Sequence, residues 1–247
     1  MSQARRRYQQ VAGELRALIA QKRYRVGDRI DTERQISEQL GIGRSVAREA
    51  VMMLEIEGLV EVRKGSGIYL LADPGDAGPP VRDDIGPFEL LQARQLVESS
   101  IASFAAGMVT RSDIMRMREA LELERRGIEA GSDDYSGDEL FHRLIAEATQ
   151  NSVLVDTVTG LWRKRDQSPM WARLHERIFD ASYRGQWLDD HHVILQALQR
   201  KDAEGARQAM WQHLENVRTT LMQLSDYEDP DFDGYLFDSS AVAASFR

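Results

Sequence analysis

The segment that most constrains this chain is GDRIDTERQISEQLGIGRSVAREAVMMLEIEGLVEVRKGSGIYLL, residues 27–71. Apolar residues recur at helical spacing on both sides of Gly41, which supplies a turn between two helices. Two strand-like runs, 59–63 and 67–71, then flank a basic, glycine-bearing tip at 64–66, as in a β-hairpin. The pattern predicts a helix-turn-helix followed by a hairpin.

The two predicted helices carry signals at their starts. Thr32 and Gln35 have the spacing of a capping box. The second helix carries Arg44 and Arg48 one turn apart, with Ser45 beside them. Because the opposite face is apolar, we expect both arginines to point outward, as in a helix that reads a DNA major groove. The alternative is an ordinary helical segment with solvated arginines, but the hairpin that follows directly favours the DNA-binding interpretation.

Charge is distributed unevenly along the 247 residues. Residues 1–72 carry 13 Lys and Arg against 9 Asp and Glu, whereas the rest of the chain carries 19 against 31. A basic N-terminal part and an acidic remainder are typical of a protein whose N-terminal part binds DNA and whose remainder does not. Affinity for DNA is therefore expected to fall as the salt concentration rises.

Composition excludes several classes of protein. The chain contains no cysteine, so disulfides and thiolate metal sites are excluded, and a reducing cytoplasm is the expected location. No segment approaches the roughly 18 apolar residues that a membrane-spanning helix needs. An amphipathic stretch, rather than the apolar core of an export signal, follows Arg5-Arg6-Arg7.

Proline and glycine locate a boundary between domains. Four of the six prolines and three glycines fall within residues 73–87, which cannot hold a helix and therefore form a linker. The expected fold is mainly α, an N-terminal winged helix-turn-helix plus a C-terminal all-α helical bundle. The predicted parts are a DNA-binding domain (1–72), the linker (73–87), an effector-binding and dimerisation domain (88–224) and an acidic irregular tail (225–247). The bundle helices are expected near 88–107, 111–129, 135–150, 152–165, 169–180, 187–200 and 203–224.

Four residues of the bundle form a second constellation. Asp138 and His142 are four residues apart and share one helix face, while His191 and His213 align with apolar residues of two other helices. One carboxylate and three imidazoles fit a divalent transition metal such as Zn, Ni or Mn. Core histidines that bond to a neighbour are the alternative, and spacing alone does not decide. His192 points away from the apolar stripe and is expected to be solvated.

Arg94 lies on an otherwise apolar helix face, with Glu98 one turn later. One interpretation is a buried ion pair that orders the bundle and adds little stability. The other is a guanidinium that Glu98 holds and that binds the carboxylate of an effector. Both can be true, and an arginine beside a metal would suit a small hydroxy- or oxo-acid.

The first third of the chain resembles the winged-helix domain of the GntR superfamily of bacterial transcription regulators. This resemblance implies that Arg34, Arg44 and Arg48 contact DNA with Ser45 beside them, and that Lys64 and Gly65 form the wing tip. Ile30-Asp31 departs from the Leu-Pro that is usual in the family, which places a carboxylate close to the DNA phosphates. The matching residues are Tyr8-Gln-Gln-Val-Ala, Gly27-Asp28, Glu33-Arg34, Arg44, Arg48-Glu49-Ala50 and Gly58-Leu59.

The bundle resembles the C-terminal (FCD-like) domain of the FadR branch of that superfamily. The resemblance implies a metal at the floor of a ligand cavity, held by Asp138, His142, His191 and His213. It also implies that Arg94 and Asn151 bind the effector. The matching residues are Arg94-x-x-x-Glu98, Asp138-x-x-Phe141-His142, Asn151, His191-x-x-Ile194-Leu195 and the helix around His213.

A narrower resemblance is to the hexuronate-utilisation repressors, through GPFELLQARQLVES, LIAEATQNS, PMW, MWQHLENV and FDGYLFD. It implies a homodimer on a palindromic, double-stranded operator, with glucuronate, galacturonate or a keto product as effector. Candidates for contacting the sugar are Trp162, Arg163, Arg165, Trp171 and His175, with plain core packing as the alternative for each. Two other functions stay open. One is a regulator that senses lactate, an amino acid or a dicarboxylate. The other is a metal-dependent enzyme, although the sequence shows no obvious general base beside the predicted ligands.

Overall fold

The computed structural model describes residues 6–63, 66–75, 84–176, 178 and 182–225. The chain forms two compact units, one comprising residues up to Asp84 together with Ser225 and the residues after it, the other Ile85–Leu224. The wing tip at Lys64 and Gly65, most of the predicted linker and the tail beyond Ser225 lie outside the described residues. No described helix combines the length and the apolar character needed to span a bilayer.

The first unit is a helix-turn-helix with a two-stranded wing, as predicted. The two strands are antiparallel, with Val60 opposite Leu70 and Arg63 opposite Gly67. The backbone N–H of Ile30 donates to the Ile68 carbonyl at 2.8 Å, which ties the segment before the second helix to the wing. The elements are α1 (Arg7–Gln21), α2 (Glu33–Leu40), α3 (Arg44–Ile56), β1 (Val60–Arg63) and β2 (Gly67–Leu70).

Local signals set the ends of α2. Thr32 accepts from the Gln35 backbone N–H at 3.2 Å, and Gln35 Oε1 accepts from the Thr32 backbone N–H at 2.9 Å, so the capping box is confirmed. Gly41 ends the helix with φ of +61°, a left-handed conformation that glycine adopts without a steric penalty. The core beneath these helices includes Ile36 and Leu54, which are fully buried.

The second unit is an all-α bundle. Helix α10 packs along α4 and α9, and α5 packs along α6 and α9, so these five helices share one core. Helix α9 begins at Tyr183, four residues before the predicted start at 187. The bounds are α4 (Pro87–Met108), α5 (Arg111–Glu129), α6 (Ser136–Ala148), α7 (Ser152–Asp166), α8 (Pro169–Glu176), α9 (Tyr183–Gln199) and α10 (Ala203–Leu224).

Two glycine substitutions should shift stability in opposite directions. Gly41→Ala places a side chain at φ of +61° and is expected to lower the free energy of unfolding by about 1–2 kcal/mol. Gly13→Ala lies inside α1, where an added Cβ meets nothing within 4 Å, and should raise it by about 0.5–1 kcal/mol. Urea unfolding followed by far-UV circular dichroism measures both. Equal effects of the two changes would contradict the assigned turn.

Candidate metal centre and DNA-facing helix

Three helices bring the four predicted ligands together in the core of the bundle. Helix α6 supplies Asp138 and His142, α9 supplies His191 and α10 supplies His213. All four side chains are buried, and each offers one ligand atom within 4.8 Å of the others. The expectation that the three histidines face the interior of the bundle is therefore confirmed.

The imidazoles point their Nε2 atoms at a common centre. His191 Nε2 lies 3.1 Å from His213 Nε2. The carboxylate Oδ1 of Asp138 lies 3.3 Å from His142 Nε2 and 3.6 Å from His191 Nε2. A divalent cation at this centre would meet three nitrogens and one oxygen, the ligand set that Zn, Ni and Mn accept.

A carboxylate lies behind each imidazole. Nδ1 of His142 is 2.5 Å from Glu98 Oε2, and Nδ1 of His191 is 2.9 Å from Glu124 Oε2. A longer distance, 3.5 Å, separates Nδ1 of His213 from Asp190 Oδ2. At His142 and His191 the carboxylate holds the proton on Nδ1 and leaves the Nε2 lone pair for a metal, the usual arrangement around metal-bound histidine. Nδ1 of His213 is close to Asp190 but forms no hydrogen bond with a described group.

The centre has unmet bonding capacity that a cation would satisfy. Asp138 Oδ1 and His142 Nε2 are buried, and no described group forms a hydrogen bond with either of them. With Nδ1 protonated on His191 and His213, two lone pairs would face each other at 3.1 Å. A positive ion between these atoms removes both problems, so the residues present fit a divalent metal.

The charges of the cluster agree with this assignment. Burial would raise the pKa of Glu98, but the neighbouring Arg94 and His142 charges lower it to about 2, so Glu98 is an anion. Burial and the nearby His191 lower the pKa of His213 to about 3, which leaves that imidazole neutral and able to ligate. Burial would lower the pKa of His142, but the nearby carboxylates of Glu98 and Asp138 raise it to about 9. A metal would take the place of that proton.

A glycine allows the close helix packing that positions Glu124. A Cβ added at Gly137 would lie 2.5 Å from the backbone nitrogen of Glu124 and 2.7 Å from its Cα. Helix α6 therefore approaches α5 more closely than any side chain would allow. This approach places Asp138, the next residue, in the same core as the carboxylate that orients His191.

The structure shows the ion-pair interpretation of Arg94 directly. Its Nε donates to Glu98 Oε1 at 2.7 Å, and the guanidinium carbon lies 4.3 Å from the ring centre of Trp162. Arg94 is buried, and through Glu98 it is linked to His142. Arg94 therefore helps to fix a ligand of the cluster.

The other predicted effector residues lie in different environments. Trp171 is buried, and its ring centre is 6.0 Å from that of half-buried His175. Asn151 is exposed and caps α7, because its Oδ1 accepts from the Val153 backbone N–H at 3.0 Å. His192 is exposed, as expected from its position off the apolar stripe.

Sequence reasoning missed Glu124 and Asp190 as partners of the histidines. Glu124 lies three residues after Leu121 and seven after Met117, so it shares the buried stripe of α5. A carboxylate on a buried stripe requires a partner, and this signal was available. Asp190 gave no such signal, because its side chain is partly exposed.

The predicted DNA-contacting residues separate into exposed and buried groups. Arg44 is exposed in the first turn of α3, Ser45 beside it is half-buried, and Arg34 is exposed with its Nε 3.1 Å from Glu38 Oε1. The expectation that Arg48 points outward is wrong, because its side chain is fully buried and its Nε lies 2.6 Å from Glu33 Oε2. An acidic partner on α2 is what makes this burial possible.

Two further contacts involve residues near these helices. Arg48 Nη1 donates to Ser225 Oγ at 2.7 Å, within the first unit. The unusual Asp31 at the start of the second helix accepts from Lys22 Nζ, and the Tyr24 hydroxyl lies 3.3 Å from it. The negative charge of Asp31, the residue that departs from the family pattern, is therefore balanced by Lys22.

Removing the charge of Glu124 should weaken metal binding without unfolding the bundle. Glu124→Gln is expected to reduce affinity for a divalent metal about 10- to 100-fold, because partners of a ligating histidine commonly contribute that much. Competition against a chromophoric chelator measures the affinity. Glu119→Gln changes an exposed glutamate of the same helix and should leave the affinity as in the unmodified protein. Equal affinities for the two variants would refute the assigned role.

Comparison with known proteins identifies both units. Residues 7–70 match the model described as bacterial regulatory proteins, gntR family, and residues 89–216 match the FCD domain. The Uxu operon regulator of Haemophilus influenzae is 50% identical over 96% of this chain and 90% of its own length. The Uxu operon transcriptional regulator of Escherichia coli is 51% identical over 96% of this chain and 95% of its own length. The Exu regulon transcriptional regulator of Escherichia coli is 44% identical over 98% of this chain and 95% of its own length. The chain belongs to the gntR family of bacterial transcription regulators and carries an FCD domain.

Proposed function

We propose that this protein regulates hexuronate-catabolism genes, as a repressor whose operator affinity changes when a sugar acid binds over a metal in the bundle. The observation that carries this proposal is the buried cluster of Asp138, His142, His191 and His213. It occurs in a chain that shares 44–51% of its residues with regulators named for the Uxu operon and the Exu regulon. Zn, Ni or Mn would offer open positions to the hydroxyl or carbonyl oxygens of the effector.

The operator would be read by the start of α3. Exposed Arg44 suits a bidentate contact to guanine, which discriminates against other bases by about 1–3 kcal/mol. Arg34 and Ser45 flank it as contacts to phosphate or base, together with Lys64 and Gly65 at the wing. Arg48 becomes available to DNA only if its pair with Glu33 opens, so we assign it to fixing α3 against α2.

A homodimer would present two winged helices to the two halves of a palindromic operator. Effector binding in the bundle would then change how well the two winged helices fit the two operator halves. A coupling free energy of about 1–3 kcal/mol, which is a 5- to 150-fold change in affinity, is sufficient for such a switch.

Arg44→Ala is expected to abolish specific operator binding while leaving effector binding unchanged, because Arg44 lies in the winged helix and not in the bundle. Fluorescence anisotropy with labelled operator DNA and calorimetry with the effector measure the two activities. Arg207→Ala, an exposed arginine of α10, is the matched control and should keep both. Loss of both activities in Arg44→Ala would contradict the separation of roles.

Metal-replete protein should melt at a higher temperature with one or two hexuronates and not with lactate or dicarboxylates. A ligand at 100 times its Kd adds about 2.7 kcal/mol to the free energy of unfolding, which a melting curve resolves. The panel is D-glucuronate, D-galacturonate, D-fructuronate, D-tagaturonate, gluconate, lactate and common dicarboxylates. A shift with lactate or a dicarboxylate alone would replace the proposed effector and leave the DNA-binding role intact.

A further inference from the structure

A second charged centre lies in the bundle at Arg165, near the end of α7. Its side chain is buried, with a relative exposure of 8%. The guanidinium carbon lies 4.5 Å from the ring centre of Tyr135, 5.1 Å from that of Trp162 and 5.0 Å from that of Trp171. Three aromatic rings from different parts of the bundle therefore surround one cation.

The hydrogen bonds of Arg165 are incomplete. Nη1 donates to Asp166 Oδ1 at 2.9 Å, and the Asp166 side chain is 52% exposed. Among the described residues, no acceptor bonds to Nε or Nη2. By contrast, buried Arg184 uses both of its terminal nitrogens on the carbonyl oxygens of Ser132 and Asp134. Arg165 is held by stacking on aromatic rings and by Asp166, whose exposed carboxylate can rotate away into solvent. The guanidinium of Arg165 is therefore available to the carboxylate of another molecule.

Two of the surrounding rings offer further donors. The indole N–H groups of Trp162 and Trp171 are buried, and within the described part of the chain neither finds an acceptor. An indole nitrogen can only donate, and a buried donor without a partner is costly enough to require an explanation. Nε and Nη2 of Arg165 and the two indole N–H groups are thus donors without an acceptor among the described residues, and a carboxylate could accept hydrogen bonds from them.

This donor group adjoins the metal cluster. The ring centre of Trp162 lies 5.7 Å from that of His142 and 5.1 Å from the guanidinium carbon of Arg165. Arg94 reaches the same indole, but Glu98 already neutralises it. One sugar acid could therefore meet the cluster with its hydroxyl or carbonyl oxygens and Arg165 with its carboxylate.

We propose that Arg165, with the indole N–H groups of Trp162 and Trp171, binds the carboxylate of the effector and displaces Asp166 from the guanidinium. Arg165 then distinguishes sugar acids from neutral sugars, and Arg94 serves to position Glu98 and His142. This inference rests on the proposed function, because it assumes a hexuronate in the bundle.

The test compares an acid with its uncharged amide. Calorimetry on the full-length, metal-replete protein would measure binding of D-glucuronate and D-glucuronamide, with the other three hexuronates run beside them. Wild type should prefer the acid, and Arg165→Gln should weaken acid binding about 10- to 150-fold while leaving amide binding unchanged, because a charge-assisted pair is worth about 1.5–3 kcal/mol. Lys164→Gln, which removes an exposed positive charge from the same helix, should behave as wild type.

Two further variants keep the proposal falsifiable if Arg165→Gln destabilises the bundle. Arg165→Lys retains the charge but loses the planar fork, so it should show a smaller loss confined to the acid. Asp166→Asn removes the competing carboxylate and should tighten binding of the acid.

The outcomes distinguish failure of the role of Arg165 from failure of the proposed effector. An unchanged preference for acid over amide in Arg165→Gln would overturn the role of Arg165 and assign the carboxylate to the metal or to Arg94. Unchanged or weaker acid binding in Asp166→Asn would contradict the displacement of Asp166. Wild-type protein that binds none of the four hexuronates would overturn the proposed effector itself, and this inference with it.

Discussion

The second unit depends on the convergence of three imidazoles and one carboxylate in an apolar core. Buried polar groups of this kind are destabilising unless each has a partner. Here Glu98 and Glu124 bond to the outer nitrogens of His142 and His191, and Arg94 neutralises Glu98. The inner nitrogens point toward a common centre. The bundle therefore supplies carboxylate partners for the Nδ1 atoms of these two histidines, and a cation would satisfy the Nε2 atoms that face the common centre.

Buried arginines take different roles in the same protein. Arg48 and Arg94 each pair with a glutamate and fix the position of a helix or a ligand. Arg184 is satisfied by backbone carbonyls. Arg165 is held mainly by aromatic rings and by the partly exposed Asp166. Only a difference in partners separates these roles, since all four side chains are buried to a similar degree.

Periodicity and capping residues predicted much of this arrangement. The apolar stripes placed the four cluster residues on inward faces, and the Thr32–Gln35 pair located the start of α2. Each of these two signals lies within a single helix, so one sequence without homologues is sufficient to recognise it. The start of α9 was misplaced because Arg184 and Gly185 interrupt the apolar pattern and glycine disfavours a helix. Contacts from elsewhere in the chain stabilise that turn, including the bonds of Arg184 to Ser132 and Asp134.

Partners from distant segments could not be predicted in this way. The burial of Arg48 depends on Glu33, which lies on a different helix. The rings around Arg165 come from Tyr135 and Trp171 as well as from its own helix. Sequence spacing describes one helix at a time. Trp162, Arg165 and Trp171 were therefore candidates through the family resemblance alone, and nothing in the sequence showed that they meet. Glu124 is the exception, because its position on the stripe of α5 was a readable signal.

Under the proposed function, a hexuronate bound at the metal centre changes the affinity of the protein for its operator. The most direct measurement is a titration of operator DNA, taken from upstream of hexuronate-catabolism genes in the same genome, with metal-loaded and chelator-treated protein. Each would be titrated with and without the hexuronate. We predict at least a fivefold change in the Kd for operator DNA when hexuronate is added to the metal-loaded protein, and no such change after the metal is removed. An unchanged Kd in the loaded protein, or an equal response without metal, would contradict it.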